Sequence, residues 1–84
     1  MNYELLIRRR AQRVLRSLPK DLVERLRDAL RPLATAPRPP GCKKLRGHAG
    51  WRIRIGTYRV VYEIDDAKKT VTVLDVGDRK EIYR

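Results

Sequence analysis

The sequence predicts an α+β domain in the order β-α-α-β-β-β, with a helical hairpin packed on one face of a small, mainly antiparallel sheet. Two observations carry this. Apolar residues repeat at helical spacing only between residues 9 and 33, and they alternate at strand spacing on either side of that stretch. Proline and glycine separate the helical part from the strands that follow it. The chain is 84 residues long, too short to divide its apolar side chains between two cores, so residues 1–84 are expected to form a single domain.

Tyr3, Leu5 and Ile7 fall on one side at a spacing of two, which reads as a first strand. From Arg9, the residues Ala11, Val14, Leu15 and Leu18 form the stripe of an amphipathic helix that should stop near Ser17. Pro19 suits the first turn of a second helix, Asp21 and Glu24 favour its positive end, and Leu22, Leu26, Leu30 and Leu33 make its buried stripe. Pro37, Pro39, Pro40 and Gly41 end the helical part. Trp51, Ile53 and Ile55 then alternate with Arg52 and Arg54. A Gly56–Thr57 turn follows, and Tyr58, Val60, Tyr62 and Ile64 continue the pattern as the second strand of a hairpin. After the polar loop from Asp65 to Lys69, a last strand runs to Gly77 and leaves a charged tail that holds Arg79 and Tyr83.

Lys and Arg number 21 against 10 Asp and Glu, a formal charge of +11 that points to a polyanionic partner. Charge alone leaves nucleic acid, an anionic membrane surface and an acidic protein open. A lone Cys42 and a lone His48 provide neither an internal disulfide nor a metal-ligand set, so no cofactor or metal is expected. The N-terminus lacks the apolar core of a signal peptide, and no run of about 18 apolar residues is present. A cytoplasmic protein with no membrane partner is the expectation.

Strand arithmetic selects the side chains that share a face. With Gly56 and Thr57 as a two-residue turn, Ile55 pairs with Tyr58, Arg54 with Arg59 and Arg52 with Val61, which crowds three guanidiniums on the sheet face away from the helices. Like charges directly across a strand pair cost about 0.2–1 kcal/mol, so another interaction has to favour them. If Ile64 pairs with Thr70, Asp75 lies across from Arg59 and neutralises part of the cluster, with Glu63 on the same face. The alternative is phosphate, because the guanidinium fork binds phosphate oxygens in pairs and stays ionised at any working pH. Lys43, Lys44 and Arg46 would extend the contact along an RNA backbone. Trp51, Tyr58 and Tyr62 read as core residues, His48 as a loop residue and Cys42 as a small loop residue.

The segments KKLRG, WRIRIGTYRVVYEI and VLDVGDRKEIYR, in this order of elements, resemble the RelE branch of the RelE/ParE toxin superfamily over essentially the whole chain. The resemblance implies a RelE-like, microbial-RNase-like fold and a type II toxin that cuts messenger RNA in the ribosomal A site. The cut would be metal-independent, by attack of the ribose 2′-OH on the adjacent phosphate. It implies roles for Arg52, Arg54 and Arg59 around the scissile phosphate, for Arg79 in stabilising the transition state, and for Tyr83 in base stacking or proton transfer. The ribosome with its rRNA and a RelB-like antitoxin are the implied partners. Some relatives carry lysine where this chain has Arg52 and Arg54. Arginine is a poor proton acceptor, so the general base falls to Tyr83 or, second, His48. The competing expectations are a ParE-like inhibitor of DNA gyrase and an RNA-binding module without cleavage.

Overall fold

The computed structural model describes residues 2–47 and 49–78. Two helices cover one face of a five-stranded sheet with strand order β1-β5-β4-β3-β2. Strand β1 (Glu4–Ile7) runs parallel to β5 (Thr70–Asp78), while β3 (Trp51–Ile55), β4 (Tyr58–Asp65) and β5 form an antiparallel meander. The fifth strand, β2 (Lys43–Lys44), adds to the outer edge of β3 and was not expected from periodicity, since two lysines carry no apolar alternation. Among the described residues no helix is long and apolar enough to cross a membrane.

Helix α1 (Arg9–Ser17) has the expected bounds and buries Ala11 and Leu15. Its last turn is tied by the Ser17 hydroxyl, which donates to the Val14 carbonyl at 2.7 Å. Helix α2 (Lys20–Leu30) begins one residue after the expected proline: Pro19 sits outside as the cap, and its carbonyl accepts from the Val23 N–H at 3.0 Å. Beyond Leu30 the chain tightens into a 3-10 turn, Arg31–Ala34, because Pro32 has no N–H to continue the α-helical ladder. The step from Leu30 to Leu33 suits three residues per turn, so Leu33 still reaches the core.

The core joins Ala11, Leu15, Leu26, Leu30 and Leu33 from the helical layer to Val60, Tyr62, Val71, Val73 and Val76 from the sheet. Alternation in β5 breaks between Val73 and Val76. The register shifts there: Tyr62 pairs with Val73 but Val61 pairs with Asp75, leaving Leu74 as the extra residue of a bulge. Tyr62 is fully buried and its hydroxyl donates to the Pro37 carbonyl at 2.8 Å, fastening the proline-rich segment to the sheet. Arg38 then reaches two ways. Its guanidinium pairs with Asp66 at 2.9 Å and lies 5.4 Å from the centre of the Trp51 ring.

Candidate functional site

The β3–β4 hairpin has the register expected of a two-residue turn, with Ile55 opposite Tyr58, Arg54 opposite Arg59 and Arg52 opposite Val61. Gly56 has φ +62°, and Thr57 is not among the residues of positive φ, the pattern of a type II′ turn that suits the strand twist. Lys43 pairs with Arg52. On the open face one cross-strand row therefore holds Lys43, Arg52, Val61 and Asp75, and the next holds Arg54, Arg59 and Gly77. Directly opposed side chains start about 4.5–5.5 Å apart, and rows two residues apart are separated by roughly 6.6 Å, so four cationic side chains converge at the hairpin end of this face.

Their exposures differ, and this changes the expected picture. Arg54 is exposed and Arg52 half-exposed, but Arg59 is buried at 2%. Arg59 is thus not a third guanidinium open to solvent. The bulge explains part of this, since it sets Gly77, which has no side chain, directly across from Arg59. The expected pairing of Arg59 with Asp75 fails for two reasons: Ile64 pairs with Val71 and not with Thr70, and the bulge adds a second residue of slip. Asp75 lies across from Val61, its carboxylate accepts from the Val76 N–H at 2.9 Å, and its ion pair is with Arg10 of α1 at 3.5 Å.

Lys44 also departs from expectation. It pairs with Trp51, so it belongs to the helix-side face, and its ammonium sits 5.5 Å from the Trp51 ring centre. Arg46 is exposed in the turn after β2. Arg79, Tyr83 and His48 lie outside the described residues. Alternation within the Lys43–Lys44 pair, registered against Arg52 and Trp51, was the signal that could have separated the two lysines.

A depression of about 120 Å³ lies at the hairpin end, lined by Arg54, Gly56, Thr57, Tyr58 and Arg59. Each water occupies about 30 Å³ in the liquid, so this space suits a small oxyanion better than a whole nucleotide. Farther along the sheet a wider groove of about 600 Å³ is lined by Leu6, Arg8, Glu63, Asp65, Asp66 and Thr72, among others. This groove mixes the carboxylates of Glu63, Asp65 and Asp66 with the cations of Arg8 and Lys68 and with apolar Leu6 and Ile64, whereas the hairpin end gathers cations. Hydrogen bonds from Arg38 and then Tyr3 hold the Asp66 carboxyl below the usual carboxylate range. In the same contact the Tyr3 hydroxyl donates at 2.6 Å, and its pKa is raised chiefly by that bond. Among the described residues no group of three or more His, Cys, Asp or Glu side chains is placed to hold a metal.

A helical layer on a mixed sheet, with Arg52, Arg54 and Arg59 on the uncovered face, defines a small α+β domain of cationic character. Residues 5–83 match the family model described as the ParE toxin of type II toxin-antitoxin systems, parDE, and the chain belongs to the RelE/ParE superfamily of type II toxins. The fold is similar to the RelBE2 toxin-antitoxin complex of Mycobacterium tuberculosis, with TM-score 0.82 and 32% identity over 94% of this chain and 100% of that one. The isolated RelE toxin of E. coli superposes with TM-score 0.78 and 34% identity, over 96% of this chain and 90% of that one. The RelE–RelB complex of Pyrococcus horikoshii gives 0.83 and 29%, over 96% and 99%. Over a shorter stretch of 31 residues the chain is 55% identical to Toxin RelG of Mycobacterium tuberculosis, which spans 37% of this chain and about a third of RelG, 36%.

Proposed function

We propose that this toxin is a metal-independent endoribonuclease that cuts messenger RNA in the ribosomal A site, and that its cationic hairpin end holds the scissile phosphate. The observation that carries the reading is the convergence of Lys43, Arg52 and Arg54 above buried Arg59, beside a depression of oxyanion size. In the reaction the ribose 2′-oxygen forms a bond to phosphorus as the bond to the 5′-oxygen breaks. The 2′-OH proton passes to a base and the leaving 5′-oxygen takes one up, giving a 2′,3′-cyclic phosphate and a 5′-hydroxyl. Negative charge grows on the phosphorane oxygens, and fixed guanidiniums stabilise it more than they stabilise the ground state.

Arg52 and Arg54 would contact the phosphate directly. Arg59 would act from beneath, since a buried charge about 5 Å from Arg54 at Cβ is weakly screened and needs no contact to raise the local potential. Arg79 is proposed to stabilise the transition state and Tyr83 to move the proton or stack on a base, with His48 the second candidate for the base. DNA lacks the 2′-OH nucleophile, so RNA is the substrate. The solved relatives from Mycobacterium tuberculosis and Pyrococcus horikoshii are complexes with RelB antitoxins, which supports a RelB-like partner here. An acidic, partly disordered chain would associate quickly with a +11 toxin in the cytoplasm.

Mapping the 5′ ends of cellular RNA after induction tests the proposal. Translated messages should be cut at in-frame positions, and Arg54→Ala, Arg79→Ala and Tyr83→Phe should each remove the cuts without unfolding the protein. The family model's description as a ParE toxin supports a second reading, inhibition of DNA gyrase. Intact messages with stalled replication, and unchanged growth arrest by all three variants, would favour it.

A further inference from the structure

The two helices carry their charges very differently. In α2 the cations Lys20, Arg25 and Arg27 alternate with Asp21, Glu24 and Asp28, and Asp28 pairs with Arg31 at 3.4 Å. Helix α1 and its cap hold Arg8, Arg9, Arg10, Arg13 and Arg16 with no acid at all. Among the described residues only Arg10 of these five is in an ion pair, with Asp75. Arg9 and Arg13 stand one turn apart as like charges, and Arg8, Arg9 and Arg10 crowd the positive pole of the helix. Both arrangements disfavour the helix.

Helical geometry puts Arg9, Arg13 and Arg16 on a single outward line. At 100° per residue they fall within about 60° of one another, directly opposite buried Ala11 and Leu15. Seven residues at about 1.5 Å each make the line roughly 10.5 Å long, which covers about three phosphate steps of 3.4 Å on one nucleic-acid strand. The ridge is on the helical side of the sheet, so a strand held at Arg52 and Arg54 cannot also lie on it without wrapping a body whose smallest extent is 24 Å.

We infer that the outer face of α1 is a second RNA contact, binding the phosphate backbone of a folded, double-stranded RNA element independently of the sheet face. The inference rests on the RNA reading of this toxin but concerns a different surface. Two features favour RNA over an acidic protein segment. Every cation on the ridge is arginine, whose fork suits phosphate. The outward line also contains no apolar side chain, whereas a disordered chain that folds on its partner needs apolar anchors; the one large hydrophobic residue among the described residues that is well exposed, Leu6, is on β1.

The test is fluorescence anisotropy with the full chain, a short labelled RNA duplex, a single-stranded oligoribonucleotide with blocked 2′ positions, and a poly-glutamate peptide, each titrated at several salt concentrations. The Arg9→Gln, Arg13→Gln, Arg16→Gln triple variant keeps helix-forming side chains, and circular dichroism should show it folded. Its duplex affinity should fall at least about tenfold, and the slope of log K against log salt should drop by about 2 to 3. Single-strand binding should be unchanged, and the matching triple lysine variant should restore most of the slope. Wild-type duplex binding by the glutamine variant overturns the inference, as does loss of poly-glutamate binding with duplex binding intact. A ridge that behaves as stated in a toxin that leaves all messages uncut would sink the nuclease proposal alone.

Discussion

Replacing Tyr62 by phenylalanine removes one oxygen atom and tests how the proline-rich segment is held against the sheet. The hydroxyl is fully buried and donates to the Pro37 carbonyl at 2.8 Å. Its loss forfeits a hydrogen bond with a net value of about 0.5–1.5 kcal/mol and leaves a carbonyl seeking a partner, so roughly 1–2 kcal/mol is expected for the whole change. For a domain of this size that is a fall in Tm of about 4–16 °C. Scanning calorimetry at neutral pH reads it directly. A second signature comes from titration. Burial pushes the Tyr62 pKa above its ordinary value of 10.0. A phenol whose folded pKa exceeds its unfolded one contributes stability that is complete below about pH 10 and fades as pH climbs above it, because only the unfolded chain can ionise. Tyr62→Phe should therefore be less stable at neutral pH and lose less stability than the wild type between pH 9 and about 11. Equal Tm values at pH 7, or parallel alkaline losses, would refute the claim that this hydroxyl fastens the loop.

Three other perturbations address the core, the turn and the site. Leu30→Ala, at a position 1% exposed between α2 and the sheet, should cost about 2–5 kcal/mol in urea unfolding, with the upper end expected if the cavity does not collapse. Gly56→Ala meets no neighbouring atom within 4 Å, so any loss of stability reports backbone strain at φ +62°, about 1–2 kcal/mol by the same measurement. Arg52→Ala and Arg54→Ala should each reduce the salt slope of single-stranded RNA binding by about 0.7, whereas Lys44→Ala should leave it unchanged because its ammonium lies over Trp51. Equal effects of the three substitutions would show that the two sheet faces are not distinguished by RNA.

Much of the fold was legible because its periods are clean. The stripe of Ala11, Leu15 and Leu18, with Pro19 directly after it, bounded α1, and the Gly56–Thr57 turn alone sufficed to register the hairpin. What escaped was governed by tertiary structure. Strand β2 has only two residues, both lysine, and exists because an edge of β3 was available to pair with. The bulge in β5 was hidden because both of its alternating sets, Val71, Val73, Asp75 and Thr72, Leu74, Val76, are partly apolar, so neither phase could be rejected. Only the buried series Val71, Val73, Val76, with its step of three, reveals the slip.

That slip has consequences for the chemistry. The pairing starts with Asp65 opposite Thr70 and Ile64 opposite Val71, so unbroken alternation would have set Asp75 opposite Val60, on the face that meets the helices, and Val76 opposite Arg59. One extra residue in β5 sets the acid opposite Val61 instead, where Arg10 of α1 and the Val76 N–H engage it, and brings Gly77 opposite Arg59. A bulge beside a binding surface re-aims side chains in this way without altering the strands around it. Deleting Leu74 removes the extra residue but leaves Asp75 opposite Val61 and Gly77 opposite Arg59, so the affinity for single-stranded RNA should stay at the wild-type level, with the hairpin turn intact. If the deletion variant folds but binds single-stranded RNA much more weakly than the wild type, the pairing of charges on the open face is not what selects phosphate.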